Sequence, residues 1–228
     1  MQVMVIVGFT ASAVYITTAQ FKMGCSRQTQ SKVNRIFIFA FICGVFCANS
    51  ANWFLFPEML SQPIAVRLMQ AGFSFYYGML GFFAIAAVLL RLAKEDPALW
   101  VNQIVPSVLI FHAISRIGCS FEGCCYGLPI SAFGVTFDFP AREIESFSLF
   151  VLFFVFTKRI KTHRFAWYLA SYSVIRFCLE FGRADNRGVL LVDWLSPAQL
   201  TSVMIWISLV VWLAWQRVGG SRNVPSAV

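Results

Sequence analysis

The sequence predicts an all-α integral membrane protein of about seven transmembrane helices, N-terminus out and C-terminus in, with a structured outward loop at 117–143. Three observations lead there. Of 228 residues, 59% are hydrophobic and 12% charged, with a mean hydropathy of +0.72, so polar surface is too scarce to clothe a soluble globule. The apolar runs are continuous and approach the ~20 residues that a helix needs to cross a bilayer, unlike the alternating segments of about 10 residues in a barrel. The basic residues, finally, alternate from side to side along the chain.

The expected spans are roughly 3–20, 36–56, 68–90, 98–116, 144–157, 165–182 and 198–216. The first has the look of a secretory signal, but no basic leader precedes Met4, which argues against cleavage. The fifth is short and uses Glu143 and Glu145 as its polar upper edge. No repeat or low-complexity tract interrupts the pattern, so residues 1–216 are expected to form one transmembrane domain and 217–228, with Gly219, Gly220 and Pro225, a disordered cytoplasmic tail.

In a soluble protein the net charge of +8 would suggest nucleic acid; here its distribution between loops is informative instead, and no nucleic-acid partner is expected. Lys22, Arg27, Lys32, Arg35, Arg91, Lys94, Lys158, Arg159, Lys161, Arg164, Arg217 and Arg222 all fall on one side of a seven-span arrangement. By the positive-inside rule that side is cytoplasmic. The remaining basic residues are Arg67, Arg116, Arg142, Arg176, Arg183 and Arg187, all arginine. An outward half without lysine is furnished only with the planar fork that grips carboxylate or phosphate bidentately. Either these arginines pair with the outward Asp and Glu, or they form a site for an anionic head group.

Span six carries Tyr172, Arg176, Glu180 and Arg183 at offsets 0, 4, 8 and 11, within an arc of about 80° at 100° per residue. Arg176 falls about six residues, roughly 9 Å, below the outer surface. A charge at that depth costs on the order of 2.5–3.5 kcal/mol unless it meets a partner, a cavity or an anion. Glu180 is an obvious partner, which allows a purely structural ion pair. Arg183 adds positive charge that a self-neutralising pair does not need.

Span four ends with His112 and Arg116, four residues apart on one face, followed by a turn from Gly118 to Gly127 that includes Glu122 and Gly123. Glycines let backbone amides approach a ligand closely, and the histidine is a candidate general base or ligand-binding group as well as a packing residue. Of the seven cysteines, Cys43, Cys47 and Cys178 fall in spans and Cys25 faces the cytoplasm. Cys119, Cys124 and Cys125 lie on the oxidising outer side. Their spacing does not match the commoner zinc patterns, and His163 belongs to the inner basic loop, so no metal is expected. A disulfide from Cys119 to Cys124 or Cys125 is the first reading; a nucleophilic or acceptor thiol is the second.

At these residues the chain resembles the prolipoprotein diacylglyceryl transferase family, whose signature loop reads approximately Gly-Arg-Ile-Gly-Asn-Phe-x-Asn-Gly-Glu-x-x-Gly. Here it stands as Ser115-Arg116-Ile117-Gly118-Cys119-Ser120-Phe121-Glu122-Gly123-Cys124-Cys125-Tyr126-Gly127, with the arginine and three glycines kept and cysteine at the first asparagine and the glutamate positions. The Tyr172-x3-Arg176-x3-Glu180-Phe181-x-Arg183 face, the Leu195-Ser196-Pro197-Ala198-Gln199-Leu200-Thr201-Ser202 stretch and the segment from Phe133 to Glu145 are similar to further family patterns in the same order. Ser74-Phe75-Tyr76-Tyr77-Gly78-Met79-Leu80-Gly81 is similar to another, with Tyr76 where the family has histidine. The resemblance covers about residues 70–205.

What the resemblance implies is transfer of a diacylglyceryl group from phosphatidylglycerol to the lipobox cysteine of a preprolipoprotein, in a bacterial cytoplasmic (inner) membrane and without a cofactor. A thioether forms and glycerol phosphate leaves. On that reading Arg116 and Arg176 meet the departing phosphate, Arg183 supports them, His112 is the candidate proton acceptor and Glu180 orients Arg176. Tyr172 and Tyr76 would hydrogen-bond phosphate or glycerol oxygens. Two alternatives stand beside it: a phospholipid-dependent transferase with another acceptor, and a non-catalytic lipid-binding or assembly protein.

Overall fold

The computed structural model describes residues 2–70, 73–132, 134–184 and 194–220. The helices are α1 (Gln2–Lys22), α2 (Arg27–Leu55), the short α3 (Ile64–Gln70), α4 (Phe75–Leu92), α5 (Pro97–Phe121), α6 (Ala141–Lys158), α7 (Arg164–Glu180) and α8 (Pro197–Gly220). A 3₁₀ turn, Pro57–Ser61, precedes α3, and a two-stranded antiparallel hairpin, β1 (Pro129–Ala132) with β2 (Val135–Asp138), lies between α5 and α6. Among the described residues, five helices are long and apolar enough to cross a membrane: α1, α2, α4, α5 and α8.

Local chemistry sets the ends of several helices. Ser26 caps α2 by accepting from the Thr29 amide, and Asp96 caps α5 by accepting from Ala98, with Pro97 in the first helical position where its missing N–H costs nothing. Ahead of α8, the Ser196 hydroxyl accepts from the Gln199 amide while the Gln199 side chain accepts from the Ser196 amide, a reciprocal capping box.

Several boundaries differ from the sequence expectation. The third span begins at Phe75 rather than 68, because Phe73 and Ser74 leave the helical path and the Ser74 amide donates to Ala48 O instead. Helix α5 runs on to Phe121 and α6 begins at Ala141, so the connection expected to face outward shortens to 122–140 and Gly118 is helical. Helix α7 stops at Glu180, which leaves Arg183 beyond it. Helix α8 continues through 217–220; the rest of the expected tail, and Arg187, lie outside the described residues.

Small residues bring α2 and α4 together. A Cβ on Gly78 would meet Ala48, one on Gly44 would meet the Gly78 carbonyl, and one on Gly81 would meet Cys47. Between helices in lipid, where apolar surface gains nothing by leaving the solvent, such close backbone approach is a main source of affinity. The core above and below this seam is aromatic and aliphatic, with Phe37, Phe83, Leu90, Trp100, Leu109 and Tyr168 buried.

Contacts between helix ends show which connections share a side. Lys32 Nζ, near the start of α2, is 2.6 Å from Glu95 Oε1 in the α4–α5 connection. At the start of α7 the Phe165 amide donates to Asn102 Oδ1 in the first turns of α5 (3.1 Å). Three of the lysine-bearing connections therefore lie at one end of the bundle.

Candidate active site

At the other end, Glu145, expected as a polar upper edge of the fifth span, is central instead. Glu145, in the second turn of α6, is fully buried. Its Oε1 lies 3.0 Å from Arg116 Nη2 and accepts the Tyr172 hydroxyl at 2.9 Å. His112 Nε2 is 3.7 Å from the same oxygen, and Arg183 Nη1 is 3.9 Å from Oε2. Helices α5, α6 and α7 and the turn after α7 thus converge on one side chain. The signal that could have found it is that Glu145 heads an apolar stretch, with Ala141 and Leu149 four residues to either side; Arg142, three residues before it, is the one cation within a turn on its helix and is engaged by Glu143 and the Cys124 carbonyl instead.

Beside this knot, Arg176 Nη2 is 2.6 Å from Glu180 Oε2, the helical pair that the spacing suggested. Three buried or nearly buried guanidiniums therefore face two carboxylates, leaving positive charge in excess. Two guanidinium nitrogens, Arg116 Nε and Arg176 Nη1, are buried without a hydrogen-bond partner among the described residues. Unmet buried donors are costly, and an anion that accepted from them would relieve that cost.

His112 is enclosed. Its ring stacks on Phe75 with centroids 3.4 Å apart and meets Tyr172 edge-on. Neither ring nitrogen has a hydrogen-bond partner among the described residues. The ring of Tyr76 packs 5.2 Å from Tyr172, and its hydroxyl is shared with Ser202 of α8 at 2.8 Å. Phe75 and Ser202 lie in two of the stretches that carry the resemblance, but it is folding that brings them to Tyr172 and Tyr76 as site residues. Glu122, by contrast, is exposed at the end of α5, where its amide donates to the Gly118 carbonyl.

The connection that follows is folded onto the end of α7. Leu128 N donates to Gly182 O (2.8 Å), Ala184 N to Tyr126 O (3.2 Å), and Gly127 bridges to Arg183. Gly127 is required there because a Cβ would strike the Phe139 backbone and the Gly182 carbonyl. This short ladder is what turns Arg183 back toward Glu145. Arg142 ties the near side by donating to Cys124 O at 3.0 Å.

Cys119, Cys124 and Cys125 are free thiols, in place of the expected disulfide from Cys119. Their sulfurs lie within 4.8 Å of one another, close enough to share one metal ion. Positive φ angles at Gly123 (65°) and Cys125 (63°) fold this segment over the last turn of α5. A hydrogen bond from Cys119 and the guanidiniums of Arg116 and Arg183 draw the Cys125 thiol below the usual range, outweighing its burial. Burial raises that of Cys124.

Next to the charged cluster, α1, α2, α4 and α5 line an open-sided cavity of about 900 Å³. Its walls are apolar, with Phe9, Ile16, Phe41 and Phe111 among them, and its polar end holds Ser115, Arg116 and Cys119. A greasy cavity ending on a guanidinium has the two-part character of a phospholipid: room for acyl chains and a grip for phosphate.

Fold and site together define a multi-pass helical membrane protein with a buried arginine–carboxylate cluster beside an apolar cavity. The family model for prolipoprotein diacylglyceryl transferase matches residues 2–215, and the chain belongs to that family. It is 27% identical over 163 residues to the phosphatidylglycerol–prolipoprotein diacylglyceryl transferase of Clostridium tetani, covering 64% of this chain and 65% of that one. To a Clostridium perfringens protein of the same name it is 30% identical over 139 residues, 54% of each chain. An Ehrlichia ruminantium protein of that name is 27% identical over 208 residues, 80% of this chain and 79% of its own. The chain thus spans between about half and two thirds of the length of the two clostridial relatives.

Proposed function

We propose that this protein transfers the diacylglyceryl group of phosphatidylglycerol to the lipobox cysteine thiol of a preprolipoprotein at the outer face of the bacterial cytoplasmic membrane. The observation that carries the reading is Arg116, which lines the apolar cavity, pairs with buried Glu145 and keeps one donor unmet. Family membership and the relatives' names support the same reaction. The basic-residue pattern, with α6 and α7 counted as spans, supports seven crossings with the N-terminus out.

In the reaction, the acyl chains would occupy the cavity and the phosphate would sit against Arg116, Arg176 and Arg183. The acceptor sulfur attacks the glyceryl carbon bonded to phosphate oxygen. The carbon–oxygen bond breaks with its electron pair on that oxygen, and glycerol phosphate departs while a thioether remains. Guanidiniums already fixed by Glu145 and Glu180 stabilise the growing phosphate charge without having to reorganise. Glu145 and Glu180 are positioning residues, and Tyr172 holds Glu145 in place. The enclosed His112 suits the floor beneath Glu145 better than a base that must meet an incoming peptide.

The test is transfer from labelled phosphatidylglycerol to a lipobox peptide in vesicles, comparing wild type with Arg116→Lys and Arg116→Ala. Loss of one positioned donor typically lowers turnover about 10²-fold or more, and the lysine variant should share most of the defect because it lacks the fork. Undiminished transfer by Arg116→Ala would discard the assignment. Glycerol phosphate release that needs no lipobox peptide would point to another acceptor, and phosphatidylglycerol binding without release to a non-catalytic lipid binder.

A further inference from the structure

We propose that Cys119, Cys124 and Cys125 form a three-thiolate zinc site whose fourth position is open to the thiol of the acceptor peptide. The three sulfurs already lie within 4.8 Å of one another. Around zinc, with bonds of about 2.3 Å, tetrahedral geometry sets them roughly 3.8 Å apart, a contraction that small side-chain rotations supply. The backbone holds the group together. The left-handed turns at Gly123 and Cys125 carry two of the cysteines back over the third, and Arg142 fixes the Cys124 carbonyl.

Three soft sulfur donors select a thiophilic metal, and zinc suits an outward compartment because it has no redox chemistry. Three thiolates with one zinc ion carry a single negative charge, which the adjacent Arg116 and Arg183 offset. Among the described residues the cluster has three members and no fourth. Three protein ligands and an open position is the arrangement of a reactive rather than a structural zinc site.

Location gives the site a use. Cys119 stands one turn beyond Arg116, and both line the polar end of the apolar cavity. A thiol bound to zinc is deprotonated outright, which supplies the activation that the enclosed His112 and Tyr76, bonded to Ser202, are poorly placed to give. This part of the inference rests on the transferase reading above. The acceptor S–H loses its proton to water on binding zinc, and the sulfur lone pair then forms the bond to the glyceryl carbon as the carbon–oxygen bond to phosphate breaks. The thioether product is a weak ligand and leaves.

The purified protein in detergent is titrated with cobalt(II), which reports zinc sites by colour. One equivalent should bind with sulfur-to-cobalt charge-transfer absorption and tetrahedral d–d bands, and zinc should displace it. Cys119→Ser and Cys125→Ser should each lose those bands while the helical circular dichroism is kept. A lipobox peptide should shift the d–d bands, and the same peptide with serine at the acceptor position should not. Sub-stoichiometric binding, or an unchanged spectrum when all three cysteines are serine, overturns the site. If cobalt binds and the peptide shifts its spectrum but no diacylglyceryl group is transferred, the zinc site stands and the transferase reading fails. If the triple serine variant transfers at the wild-type rate, the metal's part in the reaction is overturned and the transferase reading stands.

Discussion

The Tyr172 hydroxyl donates to Glu145 Oε1 across 2.9 Å in a fully buried setting, joining α7 to α6 at the point where Arg116 and Arg183 also arrive. A carboxylate held in this way neutralises its arginines and fixes the direction of their forks. Structure and chemistry share one residue there, which shapes what its removal should do.

Glu145→Ala leaves buried guanidiniums uncompensated, and breaking a buried ion pair from one side costs about 3–5 kcal/mol. Thermal unfolding in detergent should show the loss directly. Tyr172→Phe keeps the rings stacked and removes only the hydroxyl, so it should cost about 1–3 kcal/mol, the range for stranding a buried acceptor. A Tyr172→Phe protein as unstable as Glu145→Ala would mean that the hydroxyl, not the charge, holds the cluster.

Gly127→Ala should detach the 122–140 connection from α7. The added Cβ meets Phe139 and Gly182 backbone, which cannot yield as a flexible side chain would. The expected outcome is faster proteolysis within 122–140 and a fall in lipid transfer, since Arg183 loses the ladder that aims it. Gly134 also has positive φ, at 78°, but open space around it, so Gly134→Ala should leave transfer near wild type and serves as the control.

At the opposite end, Lys32 hydrogen-bonds Glu95 and holds its carboxyl below the usual carboxylate range. A carboxyl lowered on folding adds stability above its unfolded pKa of about 4.3 and loses it as pH falls through the folded value. The pair is partly exposed, so its worth is about 0–1 kcal/mol. Glu95→Gln should therefore lower the unfolding temperature slightly at pH 7, with the gap from wild type closing below about pH 4. A gap that widened on acidification would contradict the assignment.

Much of this arrangement is legible along the chain. The apolar runs locate the helices because a bilayer permits little else, and Arg176 with Glu180 could be paired on paper because one turn of helix separates them. The ends were harder. Helix α5 passes through Gly118 to Phe121 because packing and backbone bonding within the bundle outweigh the weak preference of glycine for turns. The displacement of Arg183 from the helical face to a bridge with Gly127 depends on a contact between distant segments.

Sequence by itself determined that the solvent of this protein is a bilayer, that its apolar runs are helical, and which residue types the charged cluster could draw on: arginine, tyrosine and carboxylate. These follow from composition and from helical periodicity, which are local. Only the tertiary structure decided that Glu145 is the point on which three helices converge, that His112 is shut between Phe75 and Tyr172, and that Cys119 meets Cys124 and Cys125. Each joins side chains from different elements or from either side of a sharp turn. Their energies depend on distance and burial in three dimensions, for which spacing along the chain carries no record.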